Sequence, residues 1–478
     1  MQPYPVRGHR VQKCLHNTII NAMKFKLLFL SAAFIFASNC LAQVPTGDVL
    51  VRGGTVLTVT NGTLENTDVL ILNGIITEIG ENLSAPQGVS VVDAVGMYVM
   101  PGIIDAHSHI GISNVNESSA PVTAQVSVGD VLNPYSIAIY RALAGGVTSS
   151  HVMHGSANVI GGQNETIKHR WGLLDPDELR MADAPRTIKF ALGENPTRVH
   201  GQGSNKRPAS RMGVEYVLRE TFAKAQRYQE AWAQYEEEAK SNPRAISPAY
   251  NGQLEVMSDI LTGDILIHCH SYRADEILML LDVLGDFGVN QITFQHVNEG
   301  FKIAPELAEF GAGASIFADW WAYKFEVYYS TAYNAAILTR NGVLTSINSD
   351  SGELNRHLYH EAAKSQKYGG LSDTEALSLI TINPAKQLGI ADRIGSIEVG
   401  KEGDLAIFDR HPLSIYAVNQ KTIVDGITYF DIERDADDMR LSVDPESPIE
   451  TTVLHSHDDT HQCLHEGALD LYDFLESN

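Results

Sequence analysis

Seven short β-rich runs alternate with longer helical stretches, and this pattern constrains the chain more than any other feature. The runs are residues 102–110, 146–152, 187–192, 264–270, 291–297, 314–317 and 343–350. Parallel strands need a long crossover between them, so strands spaced by helix-length segments predict parallel β/α architecture. The expected fold class is α/β, with a TIM-type (β/α)8 barrel over residues 99–390. Residues 213–241 are charged and helical in character, and they read as an insertion in a βα loop.

The flanks carry a different pattern. Residues 48–54 form a strand into a turn, residues 68–74 a strand ending on Asn73-Gly74, and residues 75–79 its return. Near the other end, residues 395–403 are turn-rich, 404–409 form a strand, and 423–429 form another hairpin. The two flanks, 43–98 and 391–430, are expected to build one small β-sandwich with the barrel inserted between them.

Hydrophobic residues make up 44% of the chain and charged residues 19%, which suits a compact enzyme rather than a disordered chain. The formal charge of −23 repels phosphate backbones, so nucleic acid is not an expected partner. Residues 1–42 hold basic residues (Arg7, Arg10, Lys13, Lys24, Lys26) and no acid. Within them a basic Met23-Lys24-Phe25-Lys26 precedes an apolar run, residues 27–37, and then Cys40-Leu41-Ala42. That order reads as a cleavable signal peptide, with translation starting at Met23, Gln43 as the mature N-terminus, and a periplasmic or secreted location. The apolar run is short for a bilayer span, so no stable membrane span is expected. Cys14 and Cys40 fall in this leader, and Cys269 and Cys463 alone set no disulfide framework. Residues 431–478 read as an acidic, solvated tail, although it carries His455, His457, His461 and His465.

The chemistry concentrates at strand ends. Pro101-Gly-Ile-Ile-Asp-Ala-His107-Ser-His109 is an apolar strand closing on His-x-His, which puts both imidazoles on one face. In a barrel that face is the lumen, at the mouth where active sites sit. Ile265-Leu-Ile-His268-Cys-His270, Ile292-Thr-Phe-Gln-His296 and Leu344-Thr-Ser-Ile-Asn-Ser-Asp350 repeat the arrangement. Neutral imidazoles and a carboxylate converging on one mouth are a metal-binding donor set. In Thr187-Ile-Lys189-Phe-Ala-Leu-Gly-Glu194, alternation sends Ile188, Phe190 and Leu192 towards the helices and Lys189 into the lumen. Glu194 lies past the strand, where it could reach metal or substrate. His268 and His270 both face inward by the same alternation. Gly161-Gly162-Gln163 and Gly311-Ala-Gly313 are expected to be backbone turns, and neither has phosphate-loop spacing.

These residues, together with Asn383-Pro384-Ala385 and the stretch from Gly395 to Ala406, resemble the amidohydrolase superfamily over nearly the whole mature chain. The similarity is to imidazolonepropionase and prolidase-like dipeptidases. It implies a hydrolase with one or two divalent metals per chain, zinc being the expected one. It implies His107, His109, His268, His296 and Asp350 as metal ligands, with His270 as a substrate group or the alternative strand-five ligand. Binuclear members carry a carboxylated lysine or a glutamate on strand four, so Lys189 and Glu194 are alternative bridges. Asp350 would also move the proton from the attacking water to the leaving nitrogen of an amide, cyclic amide or peptide. The expected partner is a small-molecule substrate, with a homo-oligomer left open. One alternative is a mononuclear deaminase of the same superfamily. Deaminases place Glu three residues after the strand-five His, where this chain has Ser271. The other alternative is a non-catalytic binding protein on a hydrolase scaffold.

Overall fold

The computed structural model describes residues 44–202, 206–321 and 324–435. The leader, Cys463 and the tail histidines lie outside these residues. Among the described residues, no helix is long and apolar enough to cross a membrane.

Eight strands come from the flanks: β1 (Val49–Leu57), β2 (Thr63–Leu72), β3 (Ile75–Gly80), β4 (Ser90–Asp93), β5 (Tyr98–Pro101), β14 (Leu405–Phe408), β15 (Asn419–Val424) and β16 (Ile427–Asp431). The barrel supplies β6 (Ile103–Ser108), β7 (Val147–Val152), β8 (Ile160–Lys168), β9 (Arg186–Ala191), β10 (Ile265–Ser271), β11 (Ile292–His296), β12 (Gly313–Ile316) and β13 (Thr345–Ile347).

The flank strands hydrogen-bond into one sheet of order β16-β15-β14-β5-β1-β2-β3, with β4 beside β1. The junction lies between β5 and β14, which run antiparallel, so both ends of the chain are needed to complete the sheet. Its hairpins turn on Asn73-Gly74 and Asp425-Gly426, with φ of 52°, 77°, 49° and 76°, the left-handed pair that matches strand twist. The sheet has its own apolar core, including Val49, Val51, Val69, Ile71, Leu405 and Ile423.

The second sheet runs β6 to β13 in chain order and nearly closes into a TIM-type barrel. Its strands are buried on both faces, as parallel strands under helices must be. One strand departs from the expected architecture. β8 runs antiparallel to both β7 and β9. It contains Gly161-Gly162-Gln163, so the expected turn there is corrected to a strand. Those glycines serve close packing: a Cβ on Gly161 would stand 2.7 Å from the His154 ring, and one on Gly162 would stand 2.8 Å from Val126. Gly311 closes the helix Ala304–Phe310 in a left-handed conformation, whereas Gly313 opens β12. The inserted helix is present as Arg211–Ala239, capped by the Ser210 hydroxyl. It buries Val214, Val217, Leu218, Phe222 and Ala225 on one face.

Barrel and flank sheet are joined by a buried charge cluster. Lys168, at the end of β8, is fully buried and meets Glu402 at 2.5 Å, Asp404 at 3.0 Å, and Asp425. Arg170 also binds Asp425, at 2.7 Å, and Arg393 binds Glu402 at 2.6 Å. Burial pulls the Lys168 pKa down, but the three carboxylates outweigh it and the net shift is upward. Lys168→Met should therefore cost about 3–5 kcal/mol of stability, because it leaves buried carboxylates without their cation. Urea unfolding of the variant checks this, and a loss below about 1 kcal/mol would show that the cluster contributes nothing to the joint.

Candidate metal centre

Six strands send side chains to one mouth. His107 ends β6, and His109 follows it on the same face. Their Nε2 atoms lie 3.5 and 3.1 Å from Asp350 Oδ1, just after β13. One donor atom from each of these three residues lies within 4.8 Å of the others. His296 Nε2 lies 3.8 Å from Asp350 Oδ2. Lys189 Nζ lies 2.9 Å from His107 Nε2. The alternation expected for β9 is present. Ile188, Phe190 and Leu192 enter the main core, Phe190 standing 6.1 Å from the Phe222 ring of the inserted helix, while Lys189 is buried in the lumen.

Two members of the set depend on unusual backbone. Ile292 and Phe294 face the core, so simple alternation would send His296 outward as well. Positive φ at His296 (70°) and Val297 (46°) turns it to the mouth instead. Asp350 also has a positive φ, 46°. Its backbone N–H donates to the His107 carbonyl at 3.0 Å, and Ser349 donates its N–H and hydroxyl to Asp105 at 3.0 and 2.5 Å. These bonds stitch the ends of β6 and β13 together. Each such conformation costs on the order of 1–3 kcal/mol and persists only when its surroundings fix it, as at functional sites.

The two β10 histidines occupy different layers. His268 lies deeper, with Nδ1 3.0 Å from Gln295 Nε2 and its ring 4.3 Å from the His151 ring. His270 sits one pleat nearer the mouth, 4.7 Å from His296 and 4.6 Å from Tyr272 by ring centroids. Glu194 lies beyond β9, 3.2 Å from Lys324 Nζ. Lys324 also contacts Asn195 Oδ1 at 3.0 Å and stands 4.3 Å over the Tyr272 ring.

Burial sets the protonation of the group. It drives His107, His268 and His270 well below the ordinary histidine value, and takes His296 to about 3 and His151 to about 3. Burial alone would raise the Asp350 carboxyl. The His109 hydrogen bond, with the electrostatic influence of His296, His109 and Lys189, holds it below the usual carboxylate range. The imidazoles of His107, His151, His268, His270 and His296 are therefore neutral, with lone pairs to give, near an ionised carboxylate. His268 Nε2 and both nitrogens of His270 and His296 are buried without a hydrogen-bond partner. Buried polar atoms are rarely left so, and a divalent cation held by the His107, His109 and Asp350 donors would satisfy some of these neighbouring imidazoles.

Sequence reasoning did not single out His151, Tyr272, Gln295, Phe317 or Lys324. His151 ends β7 as the recognised histidines end their strands, so the same signal could have found it. Lys324 lies in a loop whose position no periodicity specifies.

Comparisons with known proteins agree with this architecture. Residues 329–437 match the model of the amidohydrolase family. The amidohydrolase tasK of Hapsidospora irregularis is 33% identical over 393 residues, 76% of this chain, which spans 40% of that protein's length. The imidazolonepropionase of Thermoplasma volcanium is 25% identical over 370 residues, 72% of this chain and 84% of that protein. The solved structure of an amidohydrolase from Thermotoga maritima superposes with a TM-score of 0.74 at 33% identity, covering 80% of this chain and all of that one. On the barrel, the flank sheet and the 33% identity with the whole of the solved Thermotoga maritima amidohydrolase, the chain belongs to the amidohydrolase family.

Proposed function

We propose that this protein is a metal-dependent hydrolase that cleaves a carbon–nitrogen bond in a small amide, cyclic amide or peptide. The observation that carries the reading is the convergence of buried His107, His109 and His296 on the ionised Asp350 carboxylate, among buried imidazole nitrogens that have no hydrogen-bond partner. His107, His109, His268, His296 and Asp350 would hold the cation, zinc by the preference of nitrogen and carboxylate donors in such sites. Lys189, as its carbamate, would bridge a second cation. When bound, the metal supplies Lewis acidity, polarising a carbonyl and lowering the pKa of water.

The chain's own residues do the rest. Asp350, held in place by its N–H bond to the His107 carbonyl, accepts the proton of the attacking water and passes it to the leaving nitrogen. Gln295 fixes the His268 ring. His270, one pleat nearer the mouth than His268 and beside Tyr272, contacts the substrate. Glu194 is engaged by Lys324 and shapes the mouth instead of ligating metal.

Metal analysis of the purified protein, paired with a panel of dipeptides, N-acyl amino acids and cyclic amides, tests the reading. The expected result is one or two equivalents of divalent metal, with turnover that stops on chelation and returns with zinc. Turnover indifferent to chelation, or a metal-free preparation that hydrolyses the panel, would sink it.

A further inference from the structure

A small apolar cluster, separate from the main barrel core, lies directly against the metal-facing histidines. It consists of Tyr272, Phe317 and Val327, all buried, with Trp320 partly exposed. Tyr272 follows β10, and the other three belong to the segment after β12. The rings form a continuous path. Tyr272 stacks on His296 at 5.3 Å, and Phe317 on His296 at 4.5 Å. Trp320 then stacks on Phe317 at 4.2 Å and 12°. The path runs from a metal-facing imidazole to a half-buried indole face. Beyond it, the same segment leaves Trp321, Phe325, Tyr328, Tyr329 and Tyr333 exposed, from 53% to 84%. So many large exposed rings within thirteen residues are costly in water and mark a binding surface.

The charges beside this path are paired with one another. Lys324 is buried and already engaged by Asn195 and Glu194. Glu326 and Glu276 share Arg211, and Glu326 also reaches Lys324 at 3.6 Å, so the charges at this end of the mouth are engaged with one another and the ring faces offer the apolar surface.

From this geometry, and resting on the hydrolase reading above, we propose that Trp320, backed by Phe317, forms the wall of a specificity subsite for a bulky apolar or aromatic group of the substrate. The reacting bond would lie at the histidines, and the apolar group would extend along the ring path towards Trp321.

The test is binding of N-acetyl-phenylalaninamide, N-acetyl-leucinamide, N-acetyl-alaninamide and N-acetyl-aspartamide to the metal-loaded full chain, measured by calorimetry, alongside their hydrolysis. The phenylalanine and leucine probes should bind about tenfold or more tightly than the alanine and aspartate probes. Trp320→Ala should reduce that preference by about tenfold while keeping the wild-type metal content. Equal binding of all four probes, or a preference unchanged in Trp320→Ala, would overturn the proposal. An apolar preference in binding without hydrolysis of any probe would uphold the subsite while counting against amide hydrolysis, so the two readings fail separately.

Discussion

Replacing His107 or His296 by alanine is expected to remove bound metal and hydrolysis together while leaving a folded chain. Both rings are fully buried, and both face the Asp350 carboxylate. A cation's stabilisation of transition-state charge is worth several kcal/mol, so kcat/KM should fall by at least about a thousandfold. The cavity left by either ring costs on the order of 2–4 kcal/mol, which a chain this size with a separate flank core should survive. Asp350→Asn is the informative companion. Asp350 sits at a φ of 46°, a region that Asn adopts readily, so the backbone should keep its shape. The amide cannot take up a proton, so kcat should collapse even where some metal is retained. Atomic absorption and steady-state kinetics on the three variants check these outcomes. Wild-type metal content in both alanine variants would show that these histidines are structural.

Lys189→Ala should lose the second metal, whereas Glu194→Gln should keep its metal and lose substrate affinity. Carboxylation balances simply: the neutral amine forms an N–C bond to carbon dioxide and releases a proton. The product is an anionic oxygen donor that two cations can share. Lys189 is placed for this, buried in the lumen with its Nζ 2.9 Å from His107 Nε2. Glu194 is not, since its carboxylate is drawn to Lys324. Reconstitution of the wild type should therefore require bicarbonate as well as metal. A short carboxylic acid in solution should partly restore Lys189→Ala by filling the space of the carbamate. If Glu194→Gln strips a metal and Lys189→Ala does not, then Glu194 is the bridge. The contact with Lys324 would then have to break when metal binds.

Much of the site was legible because strand periodicity is short-range physics. With a period of two, an apolar run fixes which side chains face the helices, and everything between them must face the lumen. Ile188 and Phe190 thus placed Lys189, and Ile267 and Cys269 placed His268 and His270 inward. The Asn73-Gly74 and Asp425-Gly426 hairpins were equally local, because few residue pairs accept two successive left-handed conformations.

The third barrel strand was not legible. Its Gly161-Gly162 pair carries a turn composition, and its real cause is the His154 ring packed against it, a contact that only the folded chain creates. The same limit applies to His296. Its residue type and place at a strand end were visible, but alternation alone points it out of the barrel.

The sequence by itself determined most element types, the union of the two flanks into one β unit, and the inward placing of Lys189, His268 and His270, since each follows from local pattern and chain order. The tertiary structure decided what those residues do to one another. It reversed β8, turned His296 and Asp350 through left-handed backbone, drew Glu194 to Lys324 and separated His268 from His270 by one layer. Each of these depends on partners distant in the chain, and no short-range preference can encode a contact whose energy exists only after the barrel has closed.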